Sequence, residues 1–304
     1  MDAKQGHEFV RLMQEEISPC TGKRYPMLMI LSVGSYSSAS WYGKRRKSED
    51  PKKRGPKSLI SDEDLLTAIK ADLTATKFLG EGYLKVHARL RRTNIRVSKD
   101  RVLRLFRANN LLAPVRVTVN GSTRIHDGTI KTALPNIMWG TDGVQLRTVE
   151  NGTCWMFSVI DHWNDEILGW HLTKKGDRYA ALEPVRQAVK NVYGCVKEHV
   201  VKNTGLFLRS DHGSQYDSAT FQNELKFLGL SHSPAFVRSP ECNGIIERFH
   251  RTLREQILDV IVLQNLEHAQ RVIGKFIDDY NGEWILHRLG FLSPIEYKNK
   301  LKAA

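Results

Sequence analysis

The pattern of apolar and polar positions changes near residue 135. Upstream, apolar residues recur at helical spacing in three short segments, DEDLLTAIKADL, YLKVHARLRR and KDRVLRLFRANNLL. Ser61 and Ser98 precede the first and third of these segments and are typical helix N-caps. The pattern therefore predicts three helices within residues 58–113, and a weaker helical pattern marks residues 6–43.

Downstream, short β-rich runs replace the helical spacing. The runs NIMWGTDGVQLRTV, TCWMFSVIDHW and EILGWHLTK are separated by turn residues and predict three strands in a meander. A helical face in RYAALEPVRQAVKNVYG follows, and then the run LFLRSD, the helix SATFQNELKFLGL, a short run around SHSPAF and a helix over about 243–258. This order predicts an α/β domain with a mixed five-stranded sheet and flanking helices.

The net charge of +13 lies entirely in the first part of the chain. Residues 1–135 contain 26 Lys or Arg and 13 Asp or Glu, whereas residues 136–304 contain 20 of each. Such an asymmetry indicates a surface for a polyanion, and the alternative is an ordinary basic surface. Three short helices with a basic third helix fit a helix-turn-helix that places this helix in the major groove of DNA, although a plain three-helix bundle remains open.

Basic side chains in two places are candidate DNA contacts. The third helix carries Lys99, Arg101 and Arg104 on its outer side, and the run KRRKSEDPKKRGPK begins with Lys44, Arg45 and Arg46. The four cysteines have neither metal-ligand nor disulfide spacing, which indicates an intracellular protein. The N-terminus has no apolar signal segment, and the apolar run PMLMILSV is too short to span a bilayer.

Three acidic residues are candidates for one metal site. Asp142 lies within the first predicted strand, Asp211 ends the fourth, and Glu247 lies one turn into the helix GIIERFHRTLREQI. Carboxylates that converge repel one another unless a cation neutralises them, and magnesium accepts oxygen ligands of this kind. The alternative for Asp211 is a helix cap. Asp161 and Asp165 are rival acids, although their setting, DHWND, is typical of a hairpin turn.

The residues around Glu247 suggest contacts to DNA. Arg251 and Arg254 lie on the same side of the helix as Glu247 and are candidate phosphate contacts. Asn243 and Gly244 open the helix, and a close approach of DNA there is as plausible as a simple turn. No His-x-x-Arg arrangement typical of tyrosine recombinases occurs here, since Leu253 stands three residues after His250.

The motifs WGTDG, RSDHGSQY and PECNGIIERFHRTLREQ occur in order, with 35 residues between Asp211 and Glu247. Together with the later YNGEWILHRLGFLSP, they resemble the catalytic core of insertion-sequence transposases in the retroviral integrase superfamily. The resemblance extends over residues 136–298, and the basic helical part upstream is similar to that family's N-terminal layout. The paired-His, paired-Cys zinc module of retroviral integrases is missing from the sequence.

The resemblance implies a ribonuclease H-like fold with Asp142, Asp211 and Glu247 as ligands of two Mg²⁺ ions, for which Mn²⁺ can substitute. It also implies nicking at the ends of an element, followed by attack of the freed 3′-hydroxyl on target DNA. The expected partners are double-stranded DNA and further copies of the chain on that DNA. A DNA-binding protein from an upstream reading frame is a further candidate partner. The expected location is the cytoplasm, at the nucleoid, with no membrane partner.

Five segments are predicted on these grounds. They are a helical region with a basic linker (1–57), a helix-turn-helix domain (58–113), a linker (114–135), the catalytic core (136–260) and a C-terminal helical extension (261–304). Two other functions remain possible: a nuclease of the same fold that does not join DNA, and a DNA-binding regulator with a decayed core. The helix-turn-helix disfavours the first alternative, and the presence of all three acids disfavours the second.

Overall fold

The computed structural model describes most of the chain, namely residues 3–44, 59–114, 131–211, 213–234 and 243–302. It divides into two compact units, Met1–Ile60 and Ser61–Ala304. Within the described residues, none of the helices combines the length and the apolar character needed to cross a bilayer.

The first unit is a small helical cluster. It contains the helices α1 (Ala3–Met13), α2 (Met27–Val33) and α3 (Ser38–Lys44). Val10, Ile30 and Leu31 are its buried apolar residues, so the weak helical pattern of this region corresponds to real helices with a minimal core.

The second unit begins with the three helices that the apolar spacing predicts. They are α4 (Asp62–Ala75), α5 (Tyr83–Arg92) and α6 (Lys99–Ala108). Ser61 caps α4 by accepting a hydrogen bond from Asp64 N at 3.0 Å, and Ser98 caps α6 in the same way. The third helix ends earlier than the prediction through Leu112, because Asn110 takes a left-handed backbone conformation (φ 55°).

A mixed sheet follows, as predicted. Its strands are β1 (Met138–Thr148), β2 (Gly152–Asp161), β3 (Ile167–Thr173), β4 (Phe207–Ser210) and β5 (Ser231–Pro234). Their order is β3-β2-β1-β4-β5, in which β1, β2 and β3 are antiparallel neighbours and β4 and β5 run parallel to β1. Three meandering strands extended by two parallel strands form the ribonuclease H-like arrangement.

Helices cover both faces of this sheet. The remaining helices are α7 (Arg178–Tyr193), α8 (Ser214–Asp217), α9 (Ala219–Leu228), α10 (Gly244–Leu253), α11 (Leu266–Glu283) and α12 (Pro294–Lys302). Trp139 and Leu208 belong to the apolar core shared with α7 and α9, whereas Val144 and Leu146 belong to the core shared with α10 and α11. Because successive strand residues face opposite sides, the even-numbered residues of β1 face α10.

The helix predicted over about 243–258 is not regular throughout. It is α-helical to Leu253 and continues as a π-helical turn, Arg254–Leu258. The predicted apolar stripe is present, since Ile246, Phe249 and Leu253 are buried against the sheet. The π turn adds one residue to the helical spacing and so changes the direction of the side chains that follow it.

Candidate active site

The strand pairing places two of the three acids next to each other. In the parallel pair β1–β4, Met138 lies opposite Phe207 and Gly140 lies opposite Arg209. The same register carried to the residue after β4 places Asp142 opposite Asp211. Opposite positions on neighbouring strands are about 4.8 Å apart and share one face of the sheet. Both aspartates therefore face the side covered by α10.

Glycines on either side of Asp142 explain much of the WGTDG motif. A Cβ atom at Gly140 would lie 2.7 Å from His162 Nε2 and 3.2 Å from Asn243 Oδ1. At Gly143, it would lie 2.6 Å from the Phe157 ring. These positions lack space for a side chain, because the start of α10 and the adjacent strand approach β1 closely here.

The third acid is on α10, above the same face. Ile246 and Phe249 hold this helix on the sheet, and Glu247 lies at the exposed edge of the buried stripe. Partial burial is the main cause of a raised pKa for Glu247, followed by the negative charge of Asp142, and Asp211 adds to it. The three carboxylates are therefore within electrostatic range of one another.

Tyr216 lies near both aspartates. It is fully buried, and burial raises the pKa of its hydroxyl well above the ordinary value. The charges of Asp142 and then Asp211 raise this pKa further. A side chain that is affected by both carboxylates gives a second indication that the two acids converge.

Sequence reasoning missed one residue of this site, His250. Its Nδ1 atom lies 3.4 Å from Asp142 Oδ2, and its Nε2 atom lies 3.0 Å from Ser158 Oγ. Ser158 is the residue opposite Asp142 in the β1–β2 pair. The available signal was its position three residues after Glu247, which places both side chains on neighbouring parts of one helix surface.

The three carboxylates suit a hard divalent cation, because they offer only oxygen ligands. Oδ1 of Asp142 accepts a hydrogen bond from Gly143 N at 2.7 Å, so this carboxylate is held in place from both sides. In the described part of the chain, no three His, Cys, Asp or Glu side chains are close enough together to form a metal site. Asp211 and Glu247 are both exposed, so an ion from solvent can reach their side chains.

The alternative roles of the acids can also be compared with their contacts. Asp211 accepts a hydrogen bond from Gly213 N at 3.0 Å, but the N-cap of α8 is Gly213 and not Asp211. Asp161 accepts hydrogen bonds from Asn136 N and Trp163 N, both at 2.9 Å. Burial raises the pKa of Asp161 to about 6. These contacts fit a structural role for Asp161 in the predicted turn.

The second rival acid, Asp165, also has a structural partner. It is buried, has a left-handed backbone (φ 60°) and pairs with Arg288, whose Nε donates at 2.7 Å to Oδ2. Its charge is therefore used to hold the chain after α11 to the β2–β3 turn.

The predicted DNA contacts around Glu247 are in two different settings. Arg251 and Arg254 are exposed, and Arg254 also donates to the backbone oxygen of Gln145 at 3.2 Å. Asn243, by contrast, is only 4% exposed, and its amide donates to Thr141 O at 3.3 Å. Its burial does not support a direct DNA contact, and its hydrogen bond joins the start of α10 to the strand of Asp142.

Of the residues on α6 that are predicted to contact DNA, two form ion pairs within the protein. Lys99 is exposed. Arg101 and Arg104 form ion pairs with Asp62, at 2.7 and 2.6 Å, across the start of α4. The side chain of Lys44 and the whole of Arg45 and Arg46 lie outside the described residues. The contacts of all these residues with DNA stay predictions.

Comparison with known proteins agrees with the geometry of the site. Two models of the integrase core domain match the chain, one over residues 133–240 and one over 228–288. The chain is 27% identical over 230 residues to the putative transposase InsK for insertion sequence element IS150 of Escherichia coli K12, covering 72% of this chain and 77% of that protein. It is 28% identical over 223 residues to the E. coli transposase InsD for insertion element IS2A/D/F/H/I/K, covering 71% and 72%.

Solved structures of retroviral proteins can also be aligned. One is a simian T-cell lymphotropic virus intasome in complex with a PP2A regulatory subunit, with a TM-score of 0.46 and 14% identity over 78% of this chain and 74% of that chain. Another is the HTLV-2 integrase catalytic core domain in complex with magnesium, with a TM-score of 0.41 and 18% identity over 55% and 99%. These scores are too low to carry an argument, and the fold assignment depends on the strand order. With the matched core domains and the transposase relatives, the chain belongs to the integrase superfamily, among the transposases of insertion elements.

Proposed function

We propose that Asp142, Asp211 and Glu247 form the acidic centre of a polynucleotidyl transferase that nicks DNA at the ends of an insertion element and joins the freed 3′ ends to target DNA. The observation that supports this proposal is the β1–β4 register, which, continued by two residues beyond Gly140 and Arg209, brings the two aspartates opposite each other on the sheet face covered by the helix of Glu247. The raised pKa of Glu247, caused by burial and then by Asp142, supports a shared site for an ion.

Phosphoryl transfer of this kind needs positioning and charge stabilisation more than a covalent protein nucleophile. Divalent cations at the three carboxylates, proposed to be two Mg²⁺ ions that Mn²⁺ can replace, would supply Lewis-acid stabilisation of the attacking and leaving oxygens. The chain's own contribution is a fixed carboxylate at Asp142, held by Gly143 N and His250. Asp211 and Glu247 complete the set from the end of β4 and from α10.

The DNA would be held by cationic residues near this centre and on the helical region. Arg251 and Arg254 are exposed on the helix that carries Glu247, where they can contact phosphates. Lys99, Arg101 and Arg104 on α6 would contact DNA further along the duplex. Because two element ends must be brought together, we expect at least two copies of the chain on the DNA.

The proposal is tested by Asp142→Asn, Asp211→Asn and Glu247→Gln, which preserve shape and remove one charge each. We expect each variant to bind element-end DNA normally and to lose Mg²⁺-dependent cleavage and joining by orders of magnitude. Asp217→Asn, at an exposed position on α8, is the matched control and should retain activity. Full activity in any of the three variants would remove that residue from the centre, and cleavage without joined product would indicate a nuclease.

A further inference from the structure

The segment between α4 and α5 packs into the core that supports the catalytic helix. Phe78 is 7% exposed and belongs to the same apolar cluster as Phe249 of α10. Its ring meets Phe276 and Trp284 edge-on, with centroid distances of 6.5 and 4.8 Å. Burial of a large aromatic ring is one of the strongest stabilising contacts that a core contains, and its loss to alanine leaves a cavity. The helix-turn-helix region is therefore docked on the catalytic core.

Gln256 makes the most specific contact of this docking. It lies in the π turn that continues α10, and it is 8% exposed. Its Oε1 accepts from Leu79 N at 2.7 Å, and its Nε2 donates to Leu79 O at 2.9 Å. A primary amide offers a donor and an acceptor side by side, so it can satisfy both backbone groups of one residue.

Charged side chains surround this contact. Lys77 Nζ lies 2.5 Å from Asp279 and 2.6 Å from Glu283 on α11, and Arg92 pairs with Glu296 of α12 at 3.0 Å. Such exposed pairs contribute little stability, but they restrict the orientations in which the helices can dock. Apolar, hydrogen-bonded and ionic contacts thus all join α4 and α5 to the core.

We propose that Gln256 is a positioning residue, which locks the helix-turn-helix region to the helix that carries Glu247. DNA reader and acidic centre then form one rigid body, and the protein fixes the distance between the sequence it reads and the phosphodiester it cuts. The effect on the position of the cut rests on the proposed function. The attachment of the two regions through the Gln256–Leu79 hydrogen bonds, here called the lock, does not. The π turn is part of this arrangement, because it directs Gln256 towards Leu79. Gln256 lies three residues after Leu253, the last residue of the buried stripe of the helix.

The lock is tested without DNA by hydrogen–deuterium exchange on the whole chain. Gln256→Met should fold, because it keeps the side-chain length. It removes both hydrogen bonds to Leu79. We expect exchange at the Leu79 amide to become about tenfold faster or more. Gln270→Met, at an exposed position on α11, is the control and should leave this amide unchanged. Unchanged exchange in Gln256→Met would overturn the proposal.

The positioning role is tested by mapping the cut on element-end DNA at nucleotide resolution. Wild type should cut at one phosphodiester, and Gln256→Met should spread the cuts over neighbouring positions while the KM for DNA stays within about twofold. Gln256→Asn, which keeps the amide on a shorter stem, should be intermediate. Cuts by Gln256→Met that remain at the wild-type position would overturn the positioning role. Failure of the wild type to cut DNA would instead contradict the proposed function, and the exchange result would still decide the lock.

Discussion

His250 Nδ1 lies 3.4 Å from Asp142 Oδ2, and the same ring reaches Ser158 Oγ through Nε2 at 3.0 Å. A carboxylate can only accept, so the Nδ1 edge of the ring is the one that can donate to Asp142, and Nε2 shares a hydrogen bond with the serine hydroxyl whose direction depends on the tautomer. The ring thus joins the helix of Glu247 to the two strands beneath it. An orienting partner of this kind commonly affects metal affinity and rate by about 10–100-fold.

We therefore expect His250→Ala to lower Mg²⁺-dependent cleavage by about 10–100-fold and to weaken Mg²⁺ binding measured by calorimetry. His250→Asn, which can still donate to the carboxylate, should recover part of the loss. His171→Ala, on the partly exposed strand β3, is the control. Wild-type rate and Mg²⁺ affinity in His250→Ala would show that Asp142 is held without the ring.

The crowded acids should reduce stability when no cation is bound. Because the pKa of Glu247 is raised in the folded protein, its charge opposes folding at neutral pH and has no effect at low pH, where the group is protonated in both states. Glu247→Gln should therefore be more stable than wild type at pH 7 in chelator, by up to about 1 kcal/mol once solvent screening is allowed for.

Urea unfolding at pH 7 and pH 4 measures this effect. The gain should disappear at pH 4, and added Mg²⁺ should stabilise wild type more than the variant. Glu267→Gln, an exposed acid in the first turn of α11, should show no gain at either pH. A destabilised Glu247→Gln at pH 7 would argue against mutual repulsion at the site.

The buried carboxylate of Asp161, at the end of β2, should make the stability of the protein depend on pH. Its pKa of about 6 lies above the ordinary 3.8, so between these values the folded state binds more protons than the unfolded state. Stability from this group is fully present below pH 4 and is lost as the pH rises through 6. The free energy of unfolding of wild type, relative to that of Asp161→Asn, should fall by about 2 kcal/mol from pH 4 to pH 7.

Denaturant unfolding of both proteins across this pH range checks the expectation. The variant itself loses one acceptor for the backbone amides of Asn136 and Trp163, which adds a constant offset and leaves the slope unchanged. Asp217→Asn provides the comparison with an exposed acid. A difference that is flat with pH would show that Asp161 titrates normally.

If α6 binds DNA as predicted, Asp62 competes with DNA for two of the contact residues. Its carboxylate pairs with Arg101 and Arg104, and hydrogen bonds from Arg104 and then Arg101 lower its pKa. Asp62→Asn should remove the charge that pairs with both guanidinium groups, tighten DNA binding several-fold and steepen its salt dependence by up to about two phosphate contacts.

Fluorescence anisotropy at several salt concentrations measures both quantities. Glu63→Gln changes the charge of the same helical turn by the same amount without an ion pair to either arginine, and it should change affinity much less. Equal effects of the two substitutions would mean that only net charge matters and that α6 is not the contact surface.

The sequence predicts the individual strands and helix starts well, because these features depend on residues that are close together in the chain. The β-rich run of β1 and the N-caps Ser61 and Ser98 depend on residues close in the chain, and the structure contains them as predicted. The neighbouring position of Asp142 and Asp211 depends on strand pairing, which spacing alone does not reveal and which the resemblance supplied.

Other features had no local signal at all. Phe78 and Gln256 are 178 positions apart in the sequence, and no periodic pattern indicates that they join the same interface. Asn243 looked like an exposed helix start, but the absence of a side chain at Gly140 lets the helix approach until the amide is buried. Such contacts follow from packing between distant segments, which composition and spacing do not record.

The π turn at Arg254–Leu258 also bears on how this helix can change during evolution. Each residue of an α-helix turns the side chains by about 100°, so loss of a single residue from the turn would restore regular winding and swing Gln256 away from Leu79. Every charge and every apolar side chain near the acids could survive such a deletion. We expect this helix to tolerate amino-acid substitutions far more readily than insertions or deletions.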